Sequence, residues 1–346
     1  MHRAFHRSWP ALFDGHSICS QDARPGDERL HRETDILHGM QRAGKYATSR
    51  MDLILNPVAH GNRSARRKDE ISAYLKSRGL EAKWHITESH GHAYEIARGL
   101  PEDSLTVAVG GDGTVHEVAA ACSGTARTMA VLPTGSGNDY VKALGIGANL
   151  RRALHTLTGG EARLLDTGLV NTDEQENVTF NNGLGVGFDA QVAAGVDSAP
   201  QIVGGVGGYL WSVGRLLIGF KCYAASIRLD GGEELHSETI LLAAALGTTY
   251  GSTFRFAPDA RLDDGLFDVV YSSEVSLKEV LGLLPHVLRG THIGKPKIHF
   301  ARAAEVEVRF SEPLTAHVDG ELLQPSRRFE ARAVPGSLRV LAPRRR

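Results

Sequence analysis

From residue 52 onward, apolar positions come in short bursts whose spacing switches between strand-like and helix-like periods. Leu53, Ile54 and Leu55 form one burst, ended by Asn56-Pro57, and predict a buried strand. Ile71, Tyr74 and Leu75 share one helical face, so a helix is expected over 67–78 with Gly79 as its stop. The same reading gives a strand over 82–86 and a helix over 92–100. A buried strand over 105–109 then runs into Gly110-Gly111-Asp112-Gly113. A helix over 114–122, a strand over 129–132 and a helix over 138–144 complete the run. Alternation of this kind with short connections marks a doubly wound, mostly parallel α/β sheet.

After about Asp166 the pattern changes. Strands are expected over 178–182, 224–229, 239–246, 267–271 and 305–310, with Asp230-Gly231-Gly232 and Asp264-Gly265 as turn signals. Two helical stretches, 208–220 and 277–288, interrupt them. The division that follows is an extension over 1–50, an α/β domain over 51–168 and a β-rich, sandwich-like domain over 169–346. Whether the final strand returns to the first domain stays open. In residues 1–50, Trp9 and Phe13 are isolated and no apolar run resembles the core of a signal peptide. That segment reads as a disordered extension, and Met51, directly before the first strand, as a plausible start.

Charge changes the picture little. Lys and Arg number 39 against 40 Asp and Glu, so the whole chain carries no nucleic-acid footprint. Cys19, Cys122 and Cys222 are widely spaced and odd in number, which favours a reducing cytoplasm over a disulfide framework. The longest apolar stretch, 202–220, is broken by glycines and by Arg215, so a buried helix is expected there rather than a membrane span. The spacing of His2, His6 and His16 suggests no metal site, and His85, His90 and His92 do not read as a zinc site.

Chemistry concentrates in the glycine segments. Gly110-Gly111-Asp112-Gly113 lets backbone N–H groups approach a phosphate, and Thr114 with Glu117 has capping-box spacing for a helix start. No lysine of the G-x-x-x-x-G-K-[ST] kind is present, so a metal ion positioned by Asp112 is expected to supply the positive charge. The bland alternative is an ordinary strand-to-helix turn. In residues 133–139 the glycines repeat the close approach, and Asn138 begins a helix; simple capping by Asn138-Asp139 is the competing account. Asp263-Asp264-Gly265 and Asp319-Gly320-Glu321 both also fit plain turns.

These segments together resemble the lipid-kinase branch of the diacylglycerol, sphingosine and ceramide kinases, which shares its glycine–aspartate loop with NAD kinases and phosphofructokinases. The matching stretches are Asn56-Pro57, Thr87 with Gly91-His92-Ala93, Gly110 to Thr114, Leu132 to Asp139, Asp263 to Asp268 and Asp319 to Glu321. The resemblance implies an ATP-dependent kinase, with Mg²⁺, acting on the hydroxyl of diacylglycerol or a similar lipid alcohol in phospholipid synthesis. Nucleotide contacts would come from Asn56, Pro57, Gly61, Thr87, Gly110, Gly111, Asp112, Gly113, Thr114, Glu117, Thr134, Gly135, Ser136, Asn138 and Asp139. It further implies that Asp264, with the backbone carbonyls of Arg261 and Leu266, holds a structural Mg²⁺, and that Glu321 is the general base, with Asp112 also catalytic.

Two positions depart from the pattern. His116 replaces the Asn of bacterial members and points toward sphingoid acceptors, and one extra residue separates Asn56-Pro57 from Gly61. Sphingosine or ceramide kinase, NAD kinase and a non-catalytic lipid- or nucleotide-binding relative are the alternatives. The expected partner is a membrane lipid, reached peripherally from the cytoplasm and helped by the basic Arg63, Arg66, Arg67 and Lys68 and by Arg344 to Arg346; nucleic acid is not expected, and a homodimer is left open.

Because no core-forming pattern precedes residue 50, a chain begun at Met51 is expected to melt within a few degrees of the full chain, measured by circular dichroism. A larger loss would show that the extension is docked.

Overall fold

The computed structural model describes residues 50–188, 190, 220–251 and 253–345. The N-terminal extension and all but the last residue of the helix expected over 208–220 lie outside them. The first part follows the alternating pattern: β1 (Met51–Leu55), α1 (Ala59–Ser77), β2 (Ala82–Ile86), α2 (His92–Gly99), β3 (Leu105–Gly110), α3 (Asp112–Cys122), β4 (Thr128–Pro133) and α4 (Asp139–Ala143). Strands β1, β3 and β4 are buried along their whole length, as strands covered on both faces must be. They pair in parallel in the order β2-β1-β3-β4. The chain leaves β1 to one side and returns on the other, so a crevice opens at the carboxyl ends of β1 and β3.

Helix α1 starts well before residue 67. Asn56 Oδ1 accepts the Val58 N–H at 3.2 Å, turning the chain directly after Pro57. Its first turns, with Gly61, Asn62, Arg63 and Ser64, hold no apolar stripe, which is why the periodicity shows only the later part. A helix that the pattern reading leaves out, α5 (Leu150–Gly159), buries Leu150, Ala153, Leu154 and Leu157 and is capped by Asn149, whose Oδ1 accepts the Arg152 N–H.

The second part begins with β5 (Glu161–Thr172), β6 (Val178–Phe180) and β7 (Gly183–Gly187) and continues through β8 (Tyr223–Leu229), β9 (Leu235–Thr239), β10 (Leu241–Ala245) and β11 (Phe267–Ser272). Helix α6 (Leu277–Arg289) leads to β12 (Ile298–Ala303), β13 (Glu305–Leu314), β14 (Ala316–Val318), β15 (Glu321–Leu322) and β16 (Ser326–Ala342). A six-stranded sheet runs β12-β11-β10-β7-β14-β15. The other strands extend the first sheet.

Strand β16 joins the two parts. Its early residues pair antiparallel with β13, and its last residues pair parallel with β4 through Arg339 and Val340. Strand β5 lies antiparallel along both stretches, with a register break between Val334 and Leu338. Pro335-Gly336 makes that break, and Gly336 has φ of +59°, a left-handed value that suits glycine. The carboxylate of Asp166 fixes the kink: Oδ1 accepts the Gly336 N–H at 2.8 Å and Oδ2 the Gly265 N–H at 2.7 Å.

Next to this junction Phe180 is fully buried, stacks on Phe267 at 5.6 Å between ring centroids, and fills the space over Gly168. Truncating it leaves a cavity that β-strands on both sides cannot close. Phe180→Ala is expected to lower stability by about 3–5 kcal/mol, seen as a shift of the urea midpoint at unchanged slope.

Candidate active site

The glycine segments at the ends of β3 and β4 touch backbone to backbone. A Cβ placed on Gly135 would lie 2.4 Å from the Cα of Gly111, and one placed on Gly110 would lie 2.3 Å from Thr114 Oγ1. Neither position tolerates a side chain. The N–H groups of Thr134 and Gly135 both donate to the Gly110 carbonyl, at 2.9 and 3.2 Å. The two loops therefore form one cradle at the crevice. Asn56, whose N–H donates to Val109 at 3.2 Å, and Thr87, whose N–H donates to Leu55 at 2.9 Å, stand at the ends of neighbouring strands. Pro57 follows Asn56, Gly61 lies in the first turns of α1, and Ser136 is exposed at the tip of the second loop.

Asp112 opens α3 and fastens the second loop to the first. Its Oδ2 accepts the Asn138 N–H at 2.7 Å and its Oδ1 the Asp139 N–H at 2.8 Å. Asn138 holds the bend with φ of +55° and donates from Nδ2 to the Gly135 carbonyl at 2.8 Å. Burial, then the nearby negative charge of Asp139, push the Asp112 carboxyl up to about 6 against these amide bonds and Lys142. Lys142 Nζ lies 2.9 Å from Asp139 Oδ1. A half-buried and a buried carboxylate thus stand near one ammonium, which pairs with Asp139.

The capping box expected from Thr114 and Glu117 is not formed. Helix α3 starts at Asp112, and its N-cap Gly111 makes no side-chain cap bond. Glu117 instead accepts the N–H of Gly91 at 2.8 Å and of Ala93 at 2.9 Å, holding the first turn of α2 against α3. Spacing along one helix could not show a partner on another.

The Asp-Gly-Glu triplet forms the turn between β14 and β15 and brings the second part of the chain to the cradle. Asp319 (φ +54°) is buried, and its carboxylate accepts N–H groups from Asn181, Asn182 and Gly183 at 2.8–2.9 Å. Its fourth donor is His116 Nδ1 of α3, at 2.8 Å. Gly320 donates its N–H to His317 Nδ1 at 3.2 Å. Glu321 then reaches across: a Cβ on Gly113 would lie 2.8 Å from its Oε1, and its Oε2 is 2.9 Å from His90 Nε2. The absence of a side chain at Gly113 makes room for that carboxylate.

Asp264 lies apart from this constellation. Its carboxylate is paired with Arg302, which also reaches Asp268 at 3.2 Å, and accepts the Leu266 N–H at 3.3 Å. Asp263 is paired with Arg261 and Arg345. The guanidinium of Arg302 occupies the Asp264 carboxylate that a structural Mg²⁺ on Arg261, Asp264 and Leu266 would need. Among the described residues no group of three or more His, Cys, Asp or Glu converges as a metal centre. His85 pairs with Asp52 at 2.8 Å and His92 Nδ1 accepts the Glu88 N–H at 3.1 Å. The contacts that pattern reading missed are those of His90 and His116, for which a residue's own strand or helix gives no signal.

Residues 50–170 match the model of the diacylglycerol kinase catalytic domain, and residues 183–342 match the YegS C-terminal NAD kinase beta sandwich-like domain. The chain is 29% identical to a diacylglycerol kinase of Bacillus subtilis (strain 168) over 79% of its own length and 89% of that protein. It is 25% identical to a diacylglycerol kinase of Mycobacterium tuberculosis (strain ATCC 25618 / H37Rv), over 87% and 97% of the two chains. In fold it is similar to the crystal structure of a putative diacylglycerol kinase from Bacillus anthracis str. Sterne: TM-score 0.69 at 20% identity, covering 85% of this chain and 95% of that one.

The buried imidazole gives a pH signature. Burial opposes the charge on His116, but the hydrogen bond and charge of Asp319, with Glu321 and Glu117 nearby, outweigh it and raise its pKa above 6.5. A base whose folded pKa is raised contributes fully below its unfolded value and loses that contribution as pH rises through the folded one. Stability should therefore fall on the alkaline side of 6.5, and His116→Asn should remove that part of the slope in urea titrations at stepped pH. The raised Asp112 carboxyl gives a separate loss between about 3.8 and about 6, so the two windows do not overlap.

Proposed function

The chain belongs to the diacylglycerol kinase-like family, and from that premise we propose that it is an ATP-dependent lipid kinase acting on diacylglycerol or a similar lipid alcohol. The single observation that carries this reading is the approach of the Glu321 carboxylate to Gly113, at the mouth of the glycine cradle. A hydroxyl brought beside Glu321 at this mouth would meet a base on one side and a phosphate site on the other. The cradle, whose loops pack so closely at Gly111 and Gly135 that a side chain there would clash, suits the phosphates of ATP, whose charge the N-terminal end of α3 favours. Asp112 and Asp139 are the groups that would hold Mg²⁺ there; bound with the nucleotide, it supplies charge neutralisation on the transferring phosphoryl group.

The remaining chemistry belongs to the side chains. The acceptor proton passes to Glu321 as the oxygen bonds to phosphorus and the bond to the leaving diphosphate breaks. Phosphoryl transfer depends mainly on positioning and charge, so the base accounts for part of the rate only.

The acceptor is met at a membrane surface. Among the described residues no helix is long and apolar enough to cross a bilayer. Near the cleft, Arg66 is exposed, Arg67 pairs with Glu70 at 2.5 Å, and Lys68 lies over the Trp84 ring at 5.5 Å. These cations suit an anionic lipid surface, where each contributes about 1 kcal/mol when unpaired; the pairing of Arg67 reduces its share.

The test is transfer from labelled ATP with Mg²⁺ to vesicles holding diacylglycerol, ceramide, sphingosine or undecaprenol, with NAD as a soluble control. Label in diacylglycerol is the expected result, and label in NAD alone would overturn the reading. Glu321→Gln should lower kcat by about 10²–10⁴-fold with the KM for ATP little changed, and Asp112→Asn should leave almost no transfer.

A further inference from the structure

His116 is the place where the glycine-loop helix departs from its relatives' pattern, and its surroundings give it a task. The ring lies on α3, two residues past Thr114, with its side chain 6% exposed, and donates from Nδ1 to Asp319 Oδ2 at 2.8 Å. Asp319 stands two residues before Glu321 in a turn whose shape is set by left-handed backbone at Asp319 and Gly320. From this geometry we infer that His116 is a positioning residue of the phosphoryl-transfer site, setting through Asp319 where the Glu321 carboxylate stands relative to Gly113, and does not select the acceptor.

The inference rests on the reading of Glu321 as the base. Asp319 has three backbone donors from residues 181–183, all on its own half of the molecule. His116 is the donor that comes from α3, and so the one that ties the turn to the cradle. His90 adds a direct bond from the same half to the other Glu321 oxygen, but its side chain is 62% exposed against 6% for His116. A water-exposed pair contributes little. Losing a buried donor leaves Asp319 Oδ2 with the Asn181 N–H alone and frees the turn from α3. The charged groups that bear on the imidazole are Asp319 and Glu321 from the turn and Glu117 one residue on along α3.

Two variants separate positioning from support and from selectivity. His116→Leu removes the donor, while His116→Asn offers an amide N–H that keeps the bond without a titrating ring. A displacement of the base by about 1 Å costs on the order of 10²-fold in rate. His116→Leu should therefore show kcat lower by about 100-fold with the KM for ATP within twofold. His116→Asn should recover kcat to within tenfold, lose the alkaline limb of the wild-type pH–rate profile, and rank the acceptors as wild type does. An independent measurement needs no turnover: the ¹³C-carboxyl resonance of Glu321 should follow the His116 titration in wild type and cease to do so in His116→Asn.

Normal kcat in a folded His116→Leu protein would overturn the inference, as would a changed acceptor ranking in His116→Asn. If His116→Leu does not fold, His116→Asn and the resonance decide alone, and a Glu321 resonance that ignores the His116 titration overturns it. If wild type phosphorylates none of the lipids, the proposed function fails, yet the resonance still reports whether His116 governs Glu321.

Discussion

A carboxylate removed from water must find donors to replace those it gave up, or its charge cannot be kept. Asp319 meets that requirement with three consecutive backbone amides, Asn181 to Gly183, and one imidazole from α3. Each donor fixes a different element. The amides lock the entry to β7, the imidazole locks the glycine-loop helix, and the turn to β15 is what remains between them. Remove the charge, and what holds the turn to the cradle falls to Glu321, through its exposed bond with His90.

A second carboxylate organises the cradle on the same principle. Asp112 takes two successive amides at the start of α4, so the second glycine loop is held by the first residue of the helix that follows the first loop. Glu117, one turn on, does the same for α2. The helix after β3 thus presents acids to two neighbouring helix starts, where the partial positive charge of free N–H groups favours them. The crowding of Asp112 with Asp139 is the electrostatic cost, and together with burial it raises the Asp112 carboxyl.

Much of this was legible in the sequence, and unevenly. Strands β1, β3 and β4 read out because burial on both faces writes a continuous apolar run, and the glycine loops because few roles require three glycines around an aspartate. Glu321 and Asp112 were singled out as catalytic candidates, and both lie at the cradle. The partners were not legible: Asp112 to Asn138, Glu117 to Gly91 and His116 to Asp319 are separated by 26, 26 and 203 residues. Periodicity reports which face of an element is apolar, and says nothing of which distant amide a carboxylate will find. Strand β16 was hidden for a different reason. Pro335-Gly336 in its middle is a breaker signal, and the Gly336 N–H bond to Asp166, with Ser337 Oγ donating to the Val334 carbonyl, carries one strand through it.

That strand bears on how the chain is made. β4 is flanked on one side by β3, close in sequence, and on the other by residues 339 and 340, next to the end of the chain. On a ribosome the glycine-loop half is synthesised early but keeps an unpaired, largely apolar sheet edge until residues 339 and 340 have emerged. Long-range closure of this kind is slow and leaves the edge open to pairing with other chains in the meantime. The nascent protein is therefore most vulnerable to aggregation before residues 339 and 340 emerge, and a stop codon ahead of them removes the piece that seals the edge.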